Sequence, residues 1–402
     1  MAPALTPADQ PVPDDGRLPA EALAELGRVP FGVYVHVPFC RTRCGYCDFN
    51  TYTASELPGV RYSDYLDAAL AEIGLARRVL GGAPGAATLF FGGGTPTLLP
   101  PAQLGRLVAA VGEGLGLEPG AEVTTEANPE TLDEAVLEAL LEAGITRISI
   151  GMQSAVGHVL AVLERAHTPG RAVAMARAAR RAGFGRVSLD LIYGAPGESA
   201  DDWQRSLDAV VEAGVDHVSA YSLIVEPGTR MARRVRRGEL PMPDEDELAD
   251  KYLQAEETLT RAGFSNYETS NWALTKASRS RHNLAYWRGF HWWGIGPGAH
   301  SHVGGVRWWN RKHPRAYAEA LAGGRTPAQG REVLTREERR LERVLLELRL
   351  AEGLPIGVLT EAERERIPGL IADGLGVLAG ERLVLTLRGR LLADGVVASL
   401  LA

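Results

Sequence analysis

Short β-rich runs alternate with longer helical runs six times between about residues 31 and 263 of this 402-residue chain. Several of the helical runs end in Ala-Gly, and glycine is the residue that most often closes a helix at its C-terminus. Strands that alternate with helices form a parallel sheet through right-handed crossovers. Because eight such units close a full barrel, six units predict an α/β fold whose partial (βα)6 barrel is open on one side.

All three cysteines of the chain lie within eight residues, Cys40-Arg-Thr-Arg-Cys44-Gly-Tyr-Cys47, directly after the first predicted strand. An odd and closely spaced set cannot form a disulfide framework. Thiolates are the usual ligands of iron–sulfur clusters, and three of them leave one iron of a four-iron cluster free for an exchangeable ligand. The spacing therefore predicts an open 4Fe-4S site. A zinc site with His36 as fourth ligand, or unreactive buried thiols, are the alternatives.

Barrels of this kind carry their chemistry at the C-terminal ends of the strands. The other five predicted strands end in, or carry near their ends, glycine and polar residues: Gly92-Gly93-Gly94-Thr95-Pro96, Glu126 with Asn128, Gln153 with Ser154, Asp190, and Tyr221. Because parallel strands end at the same edge, we expect these groups to share one face with the cysteine loop.

The composition is that of a soluble globular protein, with 45% hydrophobic and 23% charged residues and no apolar run of membrane-spanning length. Residues 1–28 are rich in Pro, Ala and Asp without an apolar secretory segment, so we expect a disordered leader. Free thiols without an export signal predict a cytoplasmic location. The net charge of −7 does not favour a nucleic-acid partner, and the basic run 233–237 precedes an acidic run, which indicates a solvated surface.

The composition changes after the predicted barrel, which we assign to 29–265. Residues 266–330 are rich in aromatic residues and histidine, since six of the seven Trp and five of the nine His lie between 272 and 313. We expect this extension to close the barrel. Residues 331–402 predict a small winged-helix-like C-terminal domain, in which Thr335 caps a helix and a short strand precedes the terminal helix. Its nearly balanced charges do not favour DNA binding.

Several motifs carry a resemblance to a known family. The segment YVHVPFCRTRCGYCDFN, the GGGTPT turn and the GMQS strand resemble the radical S-adenosylmethionine (SAM) superfamily, in its oxygen-independent coproporphyrinogen III oxidase-like branch, which is linked to porphyrin biosynthesis. Within that branch, SRHNLAYW resembles the His-Asn-x-x-Tyr-Trp motif of the HemW-type haem chaperones. The oxidases have a fourth cysteine two places after the third, where this chain has Phe49. Oxidative decarboxylation of coproporphyrinogen is therefore not expected, and whether the protein is an enzyme stays open.

The resemblance implies roles for particular residues. Cys40, Cys44 and Cys47 would ligate the cluster. The residues implied in SAM binding are Tyr34, Tyr46, Gly93, Gly94, Thr95, Glu126, Gln153, Arg165 and Asp190. Haem needs a flat apolar surface and an axial ligand, and His282 and Tyr286 of the HNLAYW motif offer both, with Trp287, His300 and His302 nearby. The alternative is that HNLAYW packs against the barrel and seals its open side.

Two functions follow from these patterns. The first is a haem chaperone that binds haem and a SAM-coordinated 4Fe-4S cluster and delivers haem to a respiratory acceptor protein. The second is a radical SAM enzyme that acts on a porphyrinogen through a 5′-deoxyadenosyl radical. Phe49 and HNLAYW favour the first. The expected partners are haem and the acceptor, without nucleic acid or a transmembrane segment. A peripheral membrane contact, and the choice between monomer and homodimer, are left open.

Overall fold

The computed structural model describes residues 11–82 and 84–402. The strands are β1 (Phe31–Val37), β2 (Ala86–Gly93), β3 (Leu117–Ala127), β4 (Arg147–Gln153), β5 (Arg186–Tyr193), β6 (His217–Ser222), β7 (Ser265–Glu268), β8 (Asn271–Ala273), β9 (His291–Ile295), β10 (His300–Val303), β11 (Val306–Asn310), β12 (Ala328–Val333), β13 (Leu354–Pro355), β14 (Gly376–Ala379) and β15 (Arg382–Leu385). The α-helices are α1 (Ala20–Leu23), α2 (Tyr62–Leu80), α3 (Pro101–Gly114), α4 (Glu134–Glu142), α5 (Gly157–Val162), α6 (Arg171–Ala182), α7 (Ala200–Ala213), α8 (Arg230–Arg236), α9 (Glu245–Arg261), α10 (Arg281–Trp287), α11 (Pro314–Ala322), α12 (Arg336–Glu347), α13 (Glu361–Arg364), α14 (Ile367–Ala372), α15 (Leu387–Leu391) and α16 (Ala393–Leu401).

The predicted α/β architecture is confirmed. Strands β1 to β6 are parallel and lie side by side in chain order. The aromatic extension adds strands to both ends of this sheet, because β9 pairs parallel with β1 while β8 pairs antiparallel with β6. The result is a twelve-stranded sheet in the order β12-β11-β10-β9-β1-β2-β3-β4-β5-β6-β8-β7.

Alternation along the strands divides the sheet into two faces. On β1, the buried Val33, Val35 and Val37 belong to the main hydrophobic cluster, together with residues of the surrounding helices. The intervening Tyr34 and His36 lie on the opposite, inner face, because successive side chains of a strand point to opposite sides. The core therefore lies between the sheet and the helices, and the inner face is left to glycine, aromatic and polar residues.

The C-terminal region is a small antiparallel sheet with helices. Its strands lie in the order β13-β15-β14, and a separate hydrophobic cluster joins them to α12, α14 and α16. Thr335 caps α12 as expected, and its hydroxyl accepts a bond from the main-chain N–H of Glu338 at 3.2 Å. The predicted short strand and terminal helix are β15 and α16.

The N-terminal segment differs from the predicted disordered leader where it is described. Residues 1–10 lie outside the described residues. Within 11–28, Ala22 is buried and Leu23 and Leu26 pack against the main core. Glu25 pairs with Arg339 of α12 at 2.6 Å. These apolar contacts and the ion pair offset the conformational entropy that the segment loses when it becomes ordered. Nowhere in the described ranges is a helix both long and apolar enough to span a membrane.

Candidate functional site: the cysteine loop and the barrel cavity

A cavity of about 1020 Å³ opens at the C-terminal ends of the parallel strands. The structure gathers in its wall most of the residues singled out from the sequence: Cys40, Cys44, Tyr46, Cys47, Gly93, Gly94, Thr95, Glu126, Gln153, Arg165 and Asp190. They come from the loop after β1, the ends of β2 to β5 and the segment after α5, so elements far apart in sequence meet at one edge of the sheet. Their roles as SAM ligands stay predictions.

The glycine turn after β2 is hydrogen-bonded to the start of the cysteine loop. The main-chain N–H of Gly94 donates to the carbonyl of Val37 at 2.8 Å, and that of Thr95 donates to the carbonyl of Phe39 at 2.7 Å. A Cβ atom on Gly94 would lie 2.4 Å from the Phe39 carbonyl oxygen, which is main chain and cannot turn aside. Glycine is needed at 94 because the turn and the start of the cysteine loop are in direct main-chain contact.

The three thiols are partly buried and line the same cavity. Burial raises the pKa of Cys40 to about 11, although the hydrogen bond from the Thr95 hydroxyl opposes this shift. Burial also raises the pKa of Cys47. Loading a metal cluster therefore has to displace protons from these thiols. The guanidinium of Arg165 lies 3.5 Å from the sulfur of Cys44, and it is the cation positioned to offset the negative charge of bound thiolates.

The zinc alternative does not match the geometry. Within 11–82 and 84–402, no three His, Cys, Asp or Glu side chains converge as a single-ion site requires. His36 is unavailable as fourth ligand, because one ring nitrogen lies 3.0 Å from the Tyr34 hydroxyl and the other 2.9 Å from the Asn50 carbonyl. A cluster distributes its ligands over several irons, so three thiols spread along one cavity wall fit it better than they fit zinc.

Unpartnered polar atoms in the cavity wall also fit a polar ligand. The Arg165 Nε, His167 Nδ1 and Thr124 Oγ1 atoms are buried without a hydrogen-bond partner among the described residues. Such atoms cost free energy unless they are paired. The donors and acceptors are of the kinds that the carboxylate, amine and ribose of SAM would use.

Two carboxyl groups face the cavity from neighbouring strands. Burial, and then the charge of Asp190, raise the pKa of Glu126 to about 8. The Glu126 carboxylate accepts the main-chain N–H of Gly93 at 3.2 Å. Burial also raises the pKa of Asp190, although the Ser149 hydroxyl donates to it at 2.8 Å. The positive charge of Arg147 opposes the shift of Asp190. Neither carboxyl forms an ion pair among the described residues, so both suit ligand hydroxyl groups.

The backbone is strained beside Arg165. Gln153 has φ 64° and Glu164 has φ 52°, and they are the two non-glycine residues with positive φ among those described. Both line the cavity. Gly151 allows Arg165 to approach, since a Cβ at 151 would lie 2.7 Å from its Nη2 atom. Strain of this kind is retained mostly at functional sites.

Three predicted site residues, Tyr34, His282 and Tyr286, lie away from the cavity wall. Tyr34 is in the barrel interior, bonded to His36. His282 is buried, with one ring nitrogen 2.8 Å from the Thr88 hydroxyl and the other 2.9 Å from the Tyr286 hydroxyl. Burial lowers the pKa of His282 to about 3. Both ring nitrogens are occupied, so this arrangement matches the packing alternative for HNLAYW: α10 seals the barrel interior behind the cavity.

Sequence reasoning missed several polar residues that line the cavity, namely Arg147, Ser149, His167, His217, Ser219, Ser280 and Asn283. A signal for some of them was present in the strands. Arg147 and Ser149 alternate with the core residues Ile148 and Ile150, and Ser219 follows the same rule on β6. Since alternate residues share a face, polar residues in step with Gln153 on β4 belong to the inner face.

Comparisons with known proteins agree with this architecture. The Radical SAM superfamily model matches residues 34–210, and the HemN C-terminal domain model matches residues 334–392. The protein named Heme chaperone HemW of Mycobacterium tuberculosis is 55% identical over 94% of this chain and 97% of its own length. That of Bacillus subtilis is 32% identical over 92% of this chain and 98% of its own length.

A solved structure has the same fold. Coproporphyrinogen III oxidase (HemN) of Escherichia coli superposes with a TM-score of 0.80 at 24% identity, and the match covers 94% of this chain and 92% of that one. Fold, cysteine loop and cavity thus define a radical SAM protein. At 55% identity over nearly the whole length, the chain belongs to the HemW family of heme chaperones.

Proposed function

We propose that this protein binds haem, holds a SAM-coordinated 4Fe-4S cluster on Cys40, Cys44 and Cys47, and delivers haem to a respiratory acceptor protein in the cytoplasm or at its membrane face. The observation that carries the proposal is the meeting of all three thiols with Arg165 in one cavity, in a chain whose relatives are named heme chaperones. When bound, the cluster and SAM supply one-electron chemistry at the mouth of the barrel.

Different residues of this chain would bind different parts of the cluster and of SAM. Arg165 would offset the charge of the Cys44 thiolate, and its guanidinium, which lines the cavity, would pair with a ligand carboxylate. Glu126 and Asp190 would accept hydroxyl groups of the ribose. Gly94 and Thr95 hold the start of the loop in place through main-chain bonds.

The second candidate is a radical SAM enzyme that acts on a porphyrinogen. The depth of the cavity favours it, because the polar wall continues inward past Asp190 to His217 and Arg147. Against it stands Phe49, which is 62% exposed at the cavity mouth in the place of the fourth cysteine of the oxidases.

Anaerobic reconstitution with iron and sulfide tests the cluster. We expect about four irons and four sulfides per chain, and loss of most of the iron in a Cys44→Ser variant. Zinc in place of iron in the purified protein would contradict the cluster assignment.

Haem transfer tests the chaperone function. The wild-type protein, loaded with one haem per chain, is mixed with the apo form of a haem-b respiratory subunit, and the absorption spectrum is followed. Transfer supports the proposal. A protein that binds no haem but converts coproporphyrinogen in the presence of SAM and reductant would favour the second candidate.

A further inference from the structure

The inner face of the extension strands presents aromatic and cationic side chains. In the ladder, His300 pairs with Trp309, and His302 pairs with both Arg307 and Trp292. Directly paired residues project on the same side of a sheet. Trp292 also pairs with Gly32 of β1, next to the inward-facing Tyr34 position. We call this surface, made of Trp292, His300, His302, Arg307 and Trp309, the β9–β11 aromatic face.

His300 is the histidine of the extension with a free ring. The rings of His282, His291, His302 and His313 each bond main-chain or side-chain groups. His300 is exposed, and no hydrogen bond to its ring nitrogens contributes to its titration among the described residues. Partial burial of the ring, and then the positive charges of Lys312 and Arg307, lower the pKa of His300. The neutral imidazole keeps a lone pair for a metal.

The imidazole of His300 lies beside one tryptophan, and a second tryptophan bonds its main chain. Its ring lies nearly parallel to that of Trp309, with an interplanar angle of 28° and a centroid separation of 6.1 Å. The indole N–H of Trp292 donates to the His300 carbonyl at 2.9 Å and fixes the backbone. Trp292 and Trp309 are only half-buried, so they leave flat apolar surface beside the imidazole. An iron porphyrin needs this combination of a nitrogen ligand and flat apolar walls.

Lys312 lies at the same edge of this face, where its ammonium can pair with an anionic group of a bound ligand. Arg307 is committed to ion pairs with Glu332 and Glu342. Lys312 follows β11 and is exposed, and no carboxylate of the described residues forms an ion pair with it. Its ammonium can therefore pair with a propionate of haem.

The face is connected to the cysteine loop. The side-chain amide of Asn50 donates to the carbonyl of Pro297 at 3.0 Å and to that of Lys312 at 2.8 Å. Both carbonyls lie in the turns that flank β10 and β11. One side chain thus links the segment after the cysteines to the turns on either side of His300 and Lys312.

We propose that His300 is the axial protein ligand of haem, bound on the β9–β11 aromatic face with Lys312 pairing with a propionate. The assignment rests on the proposed haem-binding function and names the site that function would use. It places the iron on an exposed imidazole and leaves His282 as a packing residue.

Titration of the full-length protein with ferric haem, followed by absorption and electron paramagnetic resonance, tests the assignment. We expect His300→Ala to weaken binding at least about tenfold and to abolish the histidine-ligated spectrum. In His300→Gly, added imidazole should restore that spectrum, which a merely structural role would not allow. Lys312→Gln should weaken binding by at most about fivefold without changing the spectrum. His158→Ala is the matched control, because His158 is an exposed histidine on α5.

The outcomes separate the two proposals. Wild-type affinity and spectrum in His300→Ala would overturn the ligand assignment while haem binding stands. Loss of the histidine-ligated spectrum in His282→Ala, with the fold intact by circular dichroism, would return the ligand to His282. If the wild-type protein binds no haem, that result would contradict both the proposed function and the assignment of His300.

Discussion

The pKa of Glu126 shows how burial inside the barrel changes the protonation of a single carboxyl group. The sequence places it at the end of a strand, but its protonation depends on Asp190, which is 64 positions away in the chain and beside it in the cavity. Burial and that neighbouring charge raise its pKa from 4.5 to about 8. A glutamic acid that holds its proton near neutral pH can donate as well as accept hydrogen bonds toward a ligand.

We predict that Glu126→Gln stabilises the cofactor-free protein at alkaline pH. The folded-state pKa is raised, so the stability that this group contributes is present below pH 4.5 and is lost as the pH rises through about 8. The variant should match the wild type below about pH 4.5 and exceed its free energy of unfolding by on the order of 5 kcal/mol at pH 9, because about 3.5 pKa units correspond to about 1.4 kcal/mol each. Urea denaturation at several pH values measures this. The exposed Glu138→Gln on α4 is the control, and a difference independent of pH would contradict the prediction.

The cysteine loop and the turn after β2 are joined by main-chain hydrogen bonds and form one structural unit. Neither is regular secondary structure, yet their main-chain bonds make the position of each depend on the other. From the sequence, the six strands and the residues at their ends could be predicted, because periodicity and helix caps are local signals. The pairing of β9 with β1 and of β8 with β6 could not, because strand partners far apart in the chain leave no local pattern.

We predict that Gly94→Ala disrupts this unit. The added Cβ would lie 2.4 Å from the Phe39 carbonyl oxygen and 2.9 Å from that of Val37. Overpacking of this kind costs about 1–3 kcal/mol of unfolding free energy. The displaced loop should also react faster with a thiol reagent, measured as the rate of Cys labelling. Gly157→Ala, where nothing lies within 4 Å of the new Cβ, should change neither quantity. Equal labelling rates in both variants would refute the coupling.

Contacts across the whole molecule hold the extension against the barrel. Glu72 of α2 is buried and accepts bonds from Asn310 at 2.7 Å and from the main-chain N–H of Gly296 at 2.8 Å, and the Tyr317 hydroxyl also donates to it. These partners come from β11, the β9–β10 turn and α11. One carboxyl group thus connects a barrel helix to the surface that carries His300.

We predict that Glu72→Ala loosens this connection. Removing the carboxyl leaves the Gly296 N–H and the Tyr317 hydroxyl unpaired and takes one of two hydrogen bonds from the Asn310 amide, which keeps its bond to the Gly296 carbonyl. These losses should lower the free energy of unfolding by about 3 kcal/mol. Haem affinity should fall with it, since the β9–β11 aromatic face would lose its support. Thermal and urea denaturation measure the first effect. Asp67→Ala on the exposed side of the same helix should stay within about 0.5 kcal/mol of the wild type. An unchanged stability of Glu72→Ala would show that the extension is held by its strands alone.

The sequence by itself determined the parallel α/β sheet, the close spacing of the three cysteines after β1 and the line of polar residues at the strand ends. These follow from hydrophobic periodicity and close spacing, which are properties of neighbouring residues. Only the tertiary structure decided which histidine is free. His282 stands in the more suggestive motif, but strand pairing and the packing of α10 occupy both its ring nitrogens, whereas His300 stays exposed beside Trp309. Burial and partners arise from contacts between distant segments, so no local pattern could have separated the two.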